Sequence, residues 1–320
     1  MSHLIKLSIA VVKGLICLIA FSCNNKQPEF TSKKQLAQHQ SDGIYACPMH
    51  PEITGKKGDS CSTCGMDLLP LEKESSENIE VKFSHTPEKL ETGVPSELSL
   101  HILKDGKNAS LDVVHEKKIH MLVVDEGLTW FDHIHPVEQA DGSYTVTESF
   151  PYNGNYFVYA DFKPQGSAGA VHKHVLEVNG PENPPIDTIE NKWKSQVDGY
   201  SVTLINGHDF QTNRPQHLGI RIEKDGHNIT SDEIEPYLGA IAHVVIIGKK
   251  DKEMLHVHPG SNHQVPIHGE TRFETPGIYR IWVQFQLEGK VLTADFTIKV
   301  KEGPETVANQ HHDHNNHHQH

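Results

Sequence analysis

The residues best suited to chemistry are sulfur and imidazole donors crowded between Tyr45 and Pro70. The chain there reads Cys-Pro-Met-His from Cys47 and Cys-Ser-Thr-Cys-Gly-Met from Cys61. Thiolates and imidazoles are the ligands of closed tetrahedral zinc sites, and thioether sulfur favours Cu(I). We therefore predict a transition-metal site, with copper as the first candidate and zinc or silver as alternatives. Its candidate ligands are Cys47, Met49, His50, Cys61, Cys64 and Met66.

The metal would also give this segment its shape, because so short a stretch has almost no apolar core. Three clustered cysteines, an odd number, make a poor disulfide framework. The alternative is a disulfide between Cys61 and Cys64 with Cys47 unused, which an oxidising compartment would allow.

The segment resembles the small heavy-metal-binding domain of copper and silver efflux proteins and of heavy-metal P-type ATPases. The shared pattern is Tyr-x-Cys-Pro-Met-His-Pro, starting here at Tyr45, followed by Cys-Pro-x-Cys-Gly-Met, starting here at Cys61. Ser62 replaces the proline of the second motif. The resemblance covers residues 45–70, and it implies metal ions as partners and a metal efflux system as a further one.

Histidines form a second group of nitrogen donors. The chain has 25 of them, more than its 11 Phe, 8 Tyr and 3 Trp together. Imidazole is the commonest metal ligand in proteins, so this excess favours metal binding. One set of histidines recurs 123 positions further along the chain: His120, His133 and His135 become His243, His256 and His258.

The same offset superposes aromatic residues, including Tyr156 on Tyr279 and Phe162 on Phe285. Two copies of one domain therefore follow each other, joined by a proline-rich linker. Short segments rich in β-branched and aromatic residues, broken by Gly, Asp and Asn, predict strands in both copies, in the first at Ile119–Asp125, Thr129–His135, Ser143–Phe150 and Tyr156–Phe162. We expect a mainly β protein with two tandem antiparallel β-sandwiches of immunoglobulin-like type, each with a tyrosine corner at Tyr156 or Tyr279.

A β-hairpin would gather the repeated histidines. A four-residue loop at 125–128 would place His120 opposite His133, with His135 on the same face. A loop at 248–251 would do the same for His243, His256 and His258. Three imidazoles in each copy would then approach one ion. The alternative is that these histidines hydrogen-bond across the strands and only hold the loops.

Two further histidine groups are candidate ligands. His172 and His174 form a same-face pair in the first copy alone, because Asp295 and Thr297 occupy the equivalent positions. The last residues, from His311 to His320, are rich in histidine and lack apolar residues, a composition typical of unselective metal binding. Both copies also resemble a family of exported bacterial β-sandwich domains, through Phe-Asp-His-Ile-His-Pro from Phe131 in the first and Leu-His-Val-His-Pro from Leu255 in the second.

The N-terminus predicts export. Lys6 and Lys13 supply the positive charges of the N-terminal region. A short apolar run, residues 14–21, follows them and ends at Ser22-Cys23. The pattern is that of a secretory signal peptide, and its apolar run is too short for a spanning helix. A cysteine after a small residue resembles the lipobox of bacterial lipoproteins, which implies a lipid on Cys23 and a membrane-anchored protein in the cell envelope, periplasmic or outer-membrane-associated. The alternative is an uncleaved membrane anchor.

Charge excludes one class of partner. Against 29 Lys and Arg stand 42 Asp and Glu, for a formal net charge of −13. Nucleic-acid binding depends on a basic surface, so no nucleic acid is expected. We divide the chain into a signal peptide (1–22), a tether (23–43), a heavy-metal-binding domain (44–72), a first sandwich (80–180), a linker (181–193), a second sandwich (194–302) and a His-rich, disordered tail (303–320).

The expected function is metal capture, for resistance, sequestration or handover to efflux machinery, and not catalysis. One alternative is a cupin-like metalloenzyme using His133, His135 and Glu138, because cupins hold a catalytic metal with His and Glu ligands. Another is a surface interaction module in which both sandwiches are scaffolds.

Overall fold

A computed structural model describes residues 45–46, 54–59, 68–70, 78–186, 190–257, 259–260 and 265–304. It divides into two compact units, Met1–Lys73 and Glu74–His320. Several predicted site residues lie outside the described residues: Cys23, Cys47, Met49, His50, Cys61, Cys64, Met66, His258 and the histidines from His311 onward.

The first unit contains a three-stranded antiparallel sheet in the order β2-β1-β3. Its strands are β1 (Tyr45–Ala46), β2 (Thr54–Gly55) and β3 (Leu69–Pro70). Ala46, the residue before Cys47, pairs with both Thr54 and Leu69. The amide of Leu68 donates to the carbonyl of Asp59 at 2.8 Å.

The second unit begins with a β-sandwich of two five-stranded sheets, in the orders β10-β11-β6-β4, with β7 beside β6, and β5-β13-β12-β8-β9. All pairs are antiparallel except β5 with β13. The strands are β4 (Ile79–Thr86), β5 (Leu90–Glu91), β6 (Ser96–Lys104), β7 (Lys107–Asn108), β8 (Ile119–Asp125), β9 (Phe131–Ile134), β10 (Val137–Glu138), β11 (Tyr144–Glu148), β12 (Gly154–Phe162) and β13 (Ala170–Asn179).

A second sandwich repeats this architecture with sheets β14-β15-β16-β17, with β20 beside β16, and β19-β18-β21-β22. One turn of 3₁₀ helix, Ser231–Glu233, lies in it. The strands are β14 (Lys194–Val197), β15 (Tyr200–Leu204), β16 (Pro215–Lys224), β17 (His227–Asn228), β18 (His243–Gly248), β19 (Met254–Val257), β20 (Ile267–Arg272), β21 (Gly277–Leu287) and β22 (Lys290–Val300). The expected immunoglobulin-like sandwich fold is confirmed.

The two tyrosine corners are confirmed as well. The hydroxyl of Tyr156 donates to the carbonyl of Tyr152 at 2.9 Å, and that of Tyr279 to the carbonyl of Thr275 at 2.7 Å. Both rings are buried, so each hydroxyl ties a loop to a core strand at the same place in its sandwich.

The sandwiches pack on each other through the sheets that contain β8 and β18. Ile119, Met121 and Val123 of β8 face the core of the first sandwich. Leu122 and Val124, on the other face of the strand, join Val245, Ile247 and Trp282 of the second sandwich in a separate buried cluster. This explains why β8 and β18 are almost continuously apolar: both faces of these strands are covered.

The predicted hairpin register is wrong by two residues. Val124 pairs with Phe131, so the loop is 125–130, and His133 lies opposite Leu122 instead of His120. In the second copy Ile247 pairs with Met254, and His256 lies opposite Val245 instead of His243. The cause is the carboxylate of Asp125, which accepts hydrogen bonds from the amides of Thr129 and Trp130 at 2.6 and 2.7 Å and so holds a wider loop.

Because side chains alternate with a period of two, this shift leaves the histidines on the predicted face. Within the described residues, no helix has the length and apolar character needed to cross a membrane.

Candidate metal centre

The first sandwich brings three histidines together where it faces the second. His120 lies on β8, His133 on β9, and His135 directly after β9. One ring nitrogen from each lies within 4.8 Å of the others. The ring centroids of His133 and His135 are 4.6 Å apart, and those of His120 and His135 are 5.0 Å apart. The predicted meeting of these three imidazoles is therefore present, although the register that produces it differs.

A tight turn before β8 fixes the ring of His120. In the turn Val114–Lys117 the two central residues, His115 and Glu116, have φ angles of 48° and 63°. Two consecutive positive values are typical of a type I′ hairpin turn. The turn presents the carbonyl of Val114 to Nε2 of His120 at 3.0 Å.

The second sandwich contributes two side chains to the cluster. Gln284 of β21 accepts a hydrogen bond from Nδ1 of His133 at 2.7 Å, in a buried contact. The ring of His243, the first residue of β18, stacks on His120 with centroids 5.7 Å apart and lies 5.6 Å from His133. Nε2 of His243 donates to the carbonyl of Tyr237 at 3.0 Å, as His120 does to Val114.

Burial keeps these four imidazoles neutral. Loss of solvent lowers the pKa of His133 to about 3, against a smaller opposite effect of its hydrogen bond to Gln284. Loss of solvent likewise lowers the pKa of His135 and that of His243 to about 4 each, and it lowers the pKa of His120. A neutral imidazole keeps a nitrogen lone pair, which is the form that binds a metal.

A cavity of about 210 Å³ opens onto the cluster. It is bordered by His115, His120 and His133 from the first sandwich and by His243 and Met254 from the second. The exposed ring of His115 lies 5.5 Å from that of His243. An ion therefore has a route to the buried rings.

The remaining predicted ligands lie elsewhere or are only partly described. His172 and His174 lie opposite Ala160 and Val158, on the face of the sheet away from His120, which lies opposite Asp161. The ring of His174 stacks on Phe83 at 4.2 Å, so this pair is separate from the cluster. For His256 the structure describes the backbone, in β19, and not the side chain.

The cupin-like set is not assembled. Glu138 lies on β10, in the opposite sheet, and its carboxylate pairs with the amine of Lys118 at 2.5 Å. Among the described residues, the third member of the group with His133 and His135 is His120.

Sequence reasoning missed Gln284 and His115. Gln284 occupies the position of Asp161 in the repeat, as the offset of 123 residues shows. Its contact with His133 depends on how the two sandwiches pack, which the sequence does not show. His115 occupies a turn where the second copy has Leu238 beside Gly239. The pair His115-Glu116 lacks the Asn, Asp or Gly that mark such a turn, so no sequence signal identifies it.

A family model described as "Domain of unknown function (DUF8832)" matches residues 74–180 and 195–302, more than half of the chain. The chain belongs to the DUF8832 family. Its two DUF8832 matches correspond to the two sandwiches, so the histidine cluster lies where one DUF8832 domain meets the other.

A second model, described as "Heavy metal binding domain", matches residues 44–71 of this DUF8832 protein. The resemblance predicted for that segment is confirmed, and the chain carries a metal-binding domain. The silver exporting P-type ATPase of Salmonella typhimurium is 48% identical over 40 residues, which is 12% of this chain. The matched stretch is 5% of that relative's length.

Solved structures similar to this DUF8832 protein include the Escherichia coli adhesin FdeC, at 13% identity and a TM-score of 0.25 over 73% of this chain and 67% of that one. The fibronectin(III)-like modules of Clostridium thermocellum CbhA match at 14% identity and a TM-score of 0.22, over 73% of this chain and 100% of theirs.

Proposed function

We propose that this protein captures soft transition-metal ions, copper first among them, in the bacterial cell envelope. The observation that carries the proposal is the heavy metal binding domain at 44–71. Its relative exports silver, whose monovalent ion resembles Cu(I) in its preference for sulfur ligands. Cys47, Cys61 and Cys64 are the donors we assign to that ion.

The site is one of binding and not of catalysis. In the first sandwich, the glutamate that a cupin-like enzyme would need is engaged by Lys118. Sequestration and handover to an efflux system both follow from a protein that binds such an ion reversibly. We propose that a lipid on Cys23 holds it at the membrane.

Metal analysis of the purified mature protein, prepared from copper-supplemented cells under reducing conditions, tests the capture site. The Cys47→Ser, Cys61→Ser, Cys64→Ser triple variant is expected to lose thiolate-bound copper, seen as loss of the ultraviolet thiolate-to-copper absorption. A variant with Ser62→Ala and Thr63→Ala, in the same segment, is the matched control and should keep it. A triple variant with unchanged copper content overturns the assignment.

Membrane fractionation tests the anchor separately. Cys23→Ser should move the protein from the membrane pellet to the soluble fraction, whereas Cys17→Ser should leave it in the pellet. Equal distribution of both variants contradicts lipidation at Cys23.

A further inference from the structure

The hydrogen-bond partners of the clustered histidines determine which ring nitrogen carries the hydrogen atom. A neutral imidazole carries one N–H. In His120 that hydrogen is on Nε2, because its neighbour there is the carbonyl of Val114, which can only accept. In His133 it is on Nδ1, which donates to the amide oxygen of Gln284.

The remaining nitrogens, Nδ1 of His120 and Nε2 of His133, face each other at 3.1 Å. Both present lone pairs. Two acceptors at this distance repel each other, and a cation between them satisfies both.

The spacing suits a metal ion. Metal–imidazole bonds of about 2.0–2.1 Å place two ligand nitrogens of a tetrahedral site about 3.3 Å apart. A third nitrogen is at hand, since Nε2 of His135 is buried and has no hydrogen-bond partner among the described residues. One ring nitrogen from each of the three histidines lies within 4.8 Å of the others, so the set is close to the spacing of about 3.3 Å that one ion requires.

Two side chains of the second sandwich, Gln284 and His243, support this arrangement. Gln284 holds His133 in the tautomer that leaves Nε2 free, which is the role of an outer-shell group in metal sites. The amide nitrogen of Gln284 donates to Oγ1 of Thr293 at 3.1 Å, which orients the amide. His243 gives its hydrogen to Tyr237 and so keeps a lone pair on Nδ1, on a ring stacked against His120.

We infer that the cluster is an interdomain site for a divalent transition metal, held by His120, His133 and His135 of one DUF8832 domain and completed by Gln284 and His243 of the other. An all-imidazole donor set suits Zn²⁺ or Cu²⁺, in contrast to the thiolate set at 44–71. The inference rests on the proposed function because both concern metal binding. Its residues, however, are different from those of the segment 44–71. Metal binding and docking of the two domains are then coupled, because each depends on the same contacts.

The experiment uses the full chain with Cys47, Cys61 and Cys64 changed to Ser and the histidines from His311 onward changed to Asn. This background removes the thiolates of the segment 44–71 and the imidazoles of the C-terminal tail. Isothermal titration with Zn²⁺ and Cu²⁺ should show one tight equivalent, abolished by the His120→Ala, His133→Ala double variant. Replacing the exposed pair His217 and His227 by Ala is the matched control and should retain binding. A background protein that binds no metal tightly overturns the site while leaving the cysteine site untouched.

The interdomain part has its own test. Gln284→Ala should weaken binding about 10- to 100-fold, as losses of outer-shell partners do. Gln284→Glu should restore or exceed the original affinity, since a carboxylate also accepts from Nδ1 of His133. His243→Ala should likewise weaken binding, and Gln139→Ala, an exposed glutamine on the first sandwich, should have no effect.

A merely structural role of Gln284 predicts a different pattern. In that case Gln284→Ala lowers the melting temperature of the metal-free protein, and the increase in melting temperature caused by bound metal stays the same as in the original protein. Unchanged affinity in both Gln284→Ala and His243→Ala, with binding still abolished by the double histidine variant, assigns the metal to the first domain alone and overturns the inference.

Discussion

At the scale of single residues, the burial of His133 makes the stability of the folded protein depend on pH. It is 8% exposed, more deeply buried than the other rings of the cluster, and its pKa falls to about 3. In the unfolded chain a histidine titrates near 6.5. Between these two values the unfolded state binds a proton that the folded state does not, so stability is complete above about pH 6.5 and is lost as the pH falls.

We therefore expect the free energy of unfolding of the metal-free protein to drop between pH 6.5 and 4.5. His133 alone should account for about 2–3 kcal/mol of this loss, at roughly 1.4 kcal/mol per pH unit. Urea unfolding at several pH values measures it. His133→Gln, which does not titrate, should make the dependence shallower by about this amount, whereas His135 and His243, whose pKa values are lowered to about 4, still contribute to it.

Gln139→Ala, at an exposed residue that does not titrate, is the control and should leave the dependence as steep as in the original protein. If His133→Gln unfolds with the same pH dependence as the original, His133 takes up its proton in the folded state, and the account of its burial is wrong.

At the scale of elements, the loop between β8 and β9 sets the position of His133. The carboxylate of Asp125 is buried and accepts from the amides of Thr129 and Trp130 and from the hydroxyl of Thr129, all within 2.7 Å. Together these bonds hold the six-residue loop and thereby the register of β9.

Asp125→Ala should destabilise the protein by about 3 kcal/mol, because three donors lose a charged acceptor in a buried place. It should also weaken metal binding at the histidine cluster, since β9 loses its fixed register. Urea unfolding and zinc titration measure the two effects.

Asp141→Ala is the matched control. Asp141 also lies in a hairpin loop and accepts from Ser143, but it is exposed, so the change should cost much less stability and leave zinc binding intact. Equal losses in both variants contradict a special role for the Asp125 loop.

This loop also marks the limit of what could be predicted from the sequence. The strand Ile119–Asp125 was predicted with its observed bounds, because apolar and β-branched residues define it locally. The hairpin register depends on where one carboxylate finds its donors, and no periodic pattern encodes that. In the first copy the three histidines nevertheless meet, since an error of two residues preserves the face of a strand. In the second copy the side chains of His256 and His258 lie outside the described part of the chain.

At the scale of the whole molecule, the two copies are joined through equivalent surfaces that differ in detail. His120 with Val114 and His243 with Tyr237 make the same ring-to-carbonyl bond at the same offset of the repeat. Gln284 stands where the first copy has Asp161. The duplication was visible in the sequence, but the meeting of the copies was not, because alignment of repeats carries no information on how they pack.

Trp282 lies at the centre of this interface. It is 3% exposed, and its ring stacks on Phe131 of the other sandwich with centroids 4.9 Å apart and an angle of 14°. Beside it, the hydroxyl of Tyr159 donates to the carbonyl of Lys252 at 2.6 Å, and Lys173 pairs with Glu253 at 2.5 Å. Trp282 therefore contributes a large buried aromatic ring to the apolar contact between the sandwiches.

Trp282→Ala should cost about 3–5 kcal/mol, the usual range for deleting a buried aromatic side chain. Because the lost contacts lie between the sandwiches and not within either core, we expect the variant to unfold in two separate calorimetric transitions where the original unfolds in one. Trp193→Ala, which removes a tryptophan that is 38% exposed on the second sandwich, is the control and should keep a single transition.

Trp282→Ala also tests whether the packing of the two sandwiches affects metal binding. If docking positions Gln284 and His243, Trp282→Ala should also lower zinc affinity, and saturating zinc should bring its two transitions closer together, since a ligand stabilises the state that binds it. A variant that unfolds in two transitions but binds zinc as tightly as the original shows that the domains pack without serving the metal.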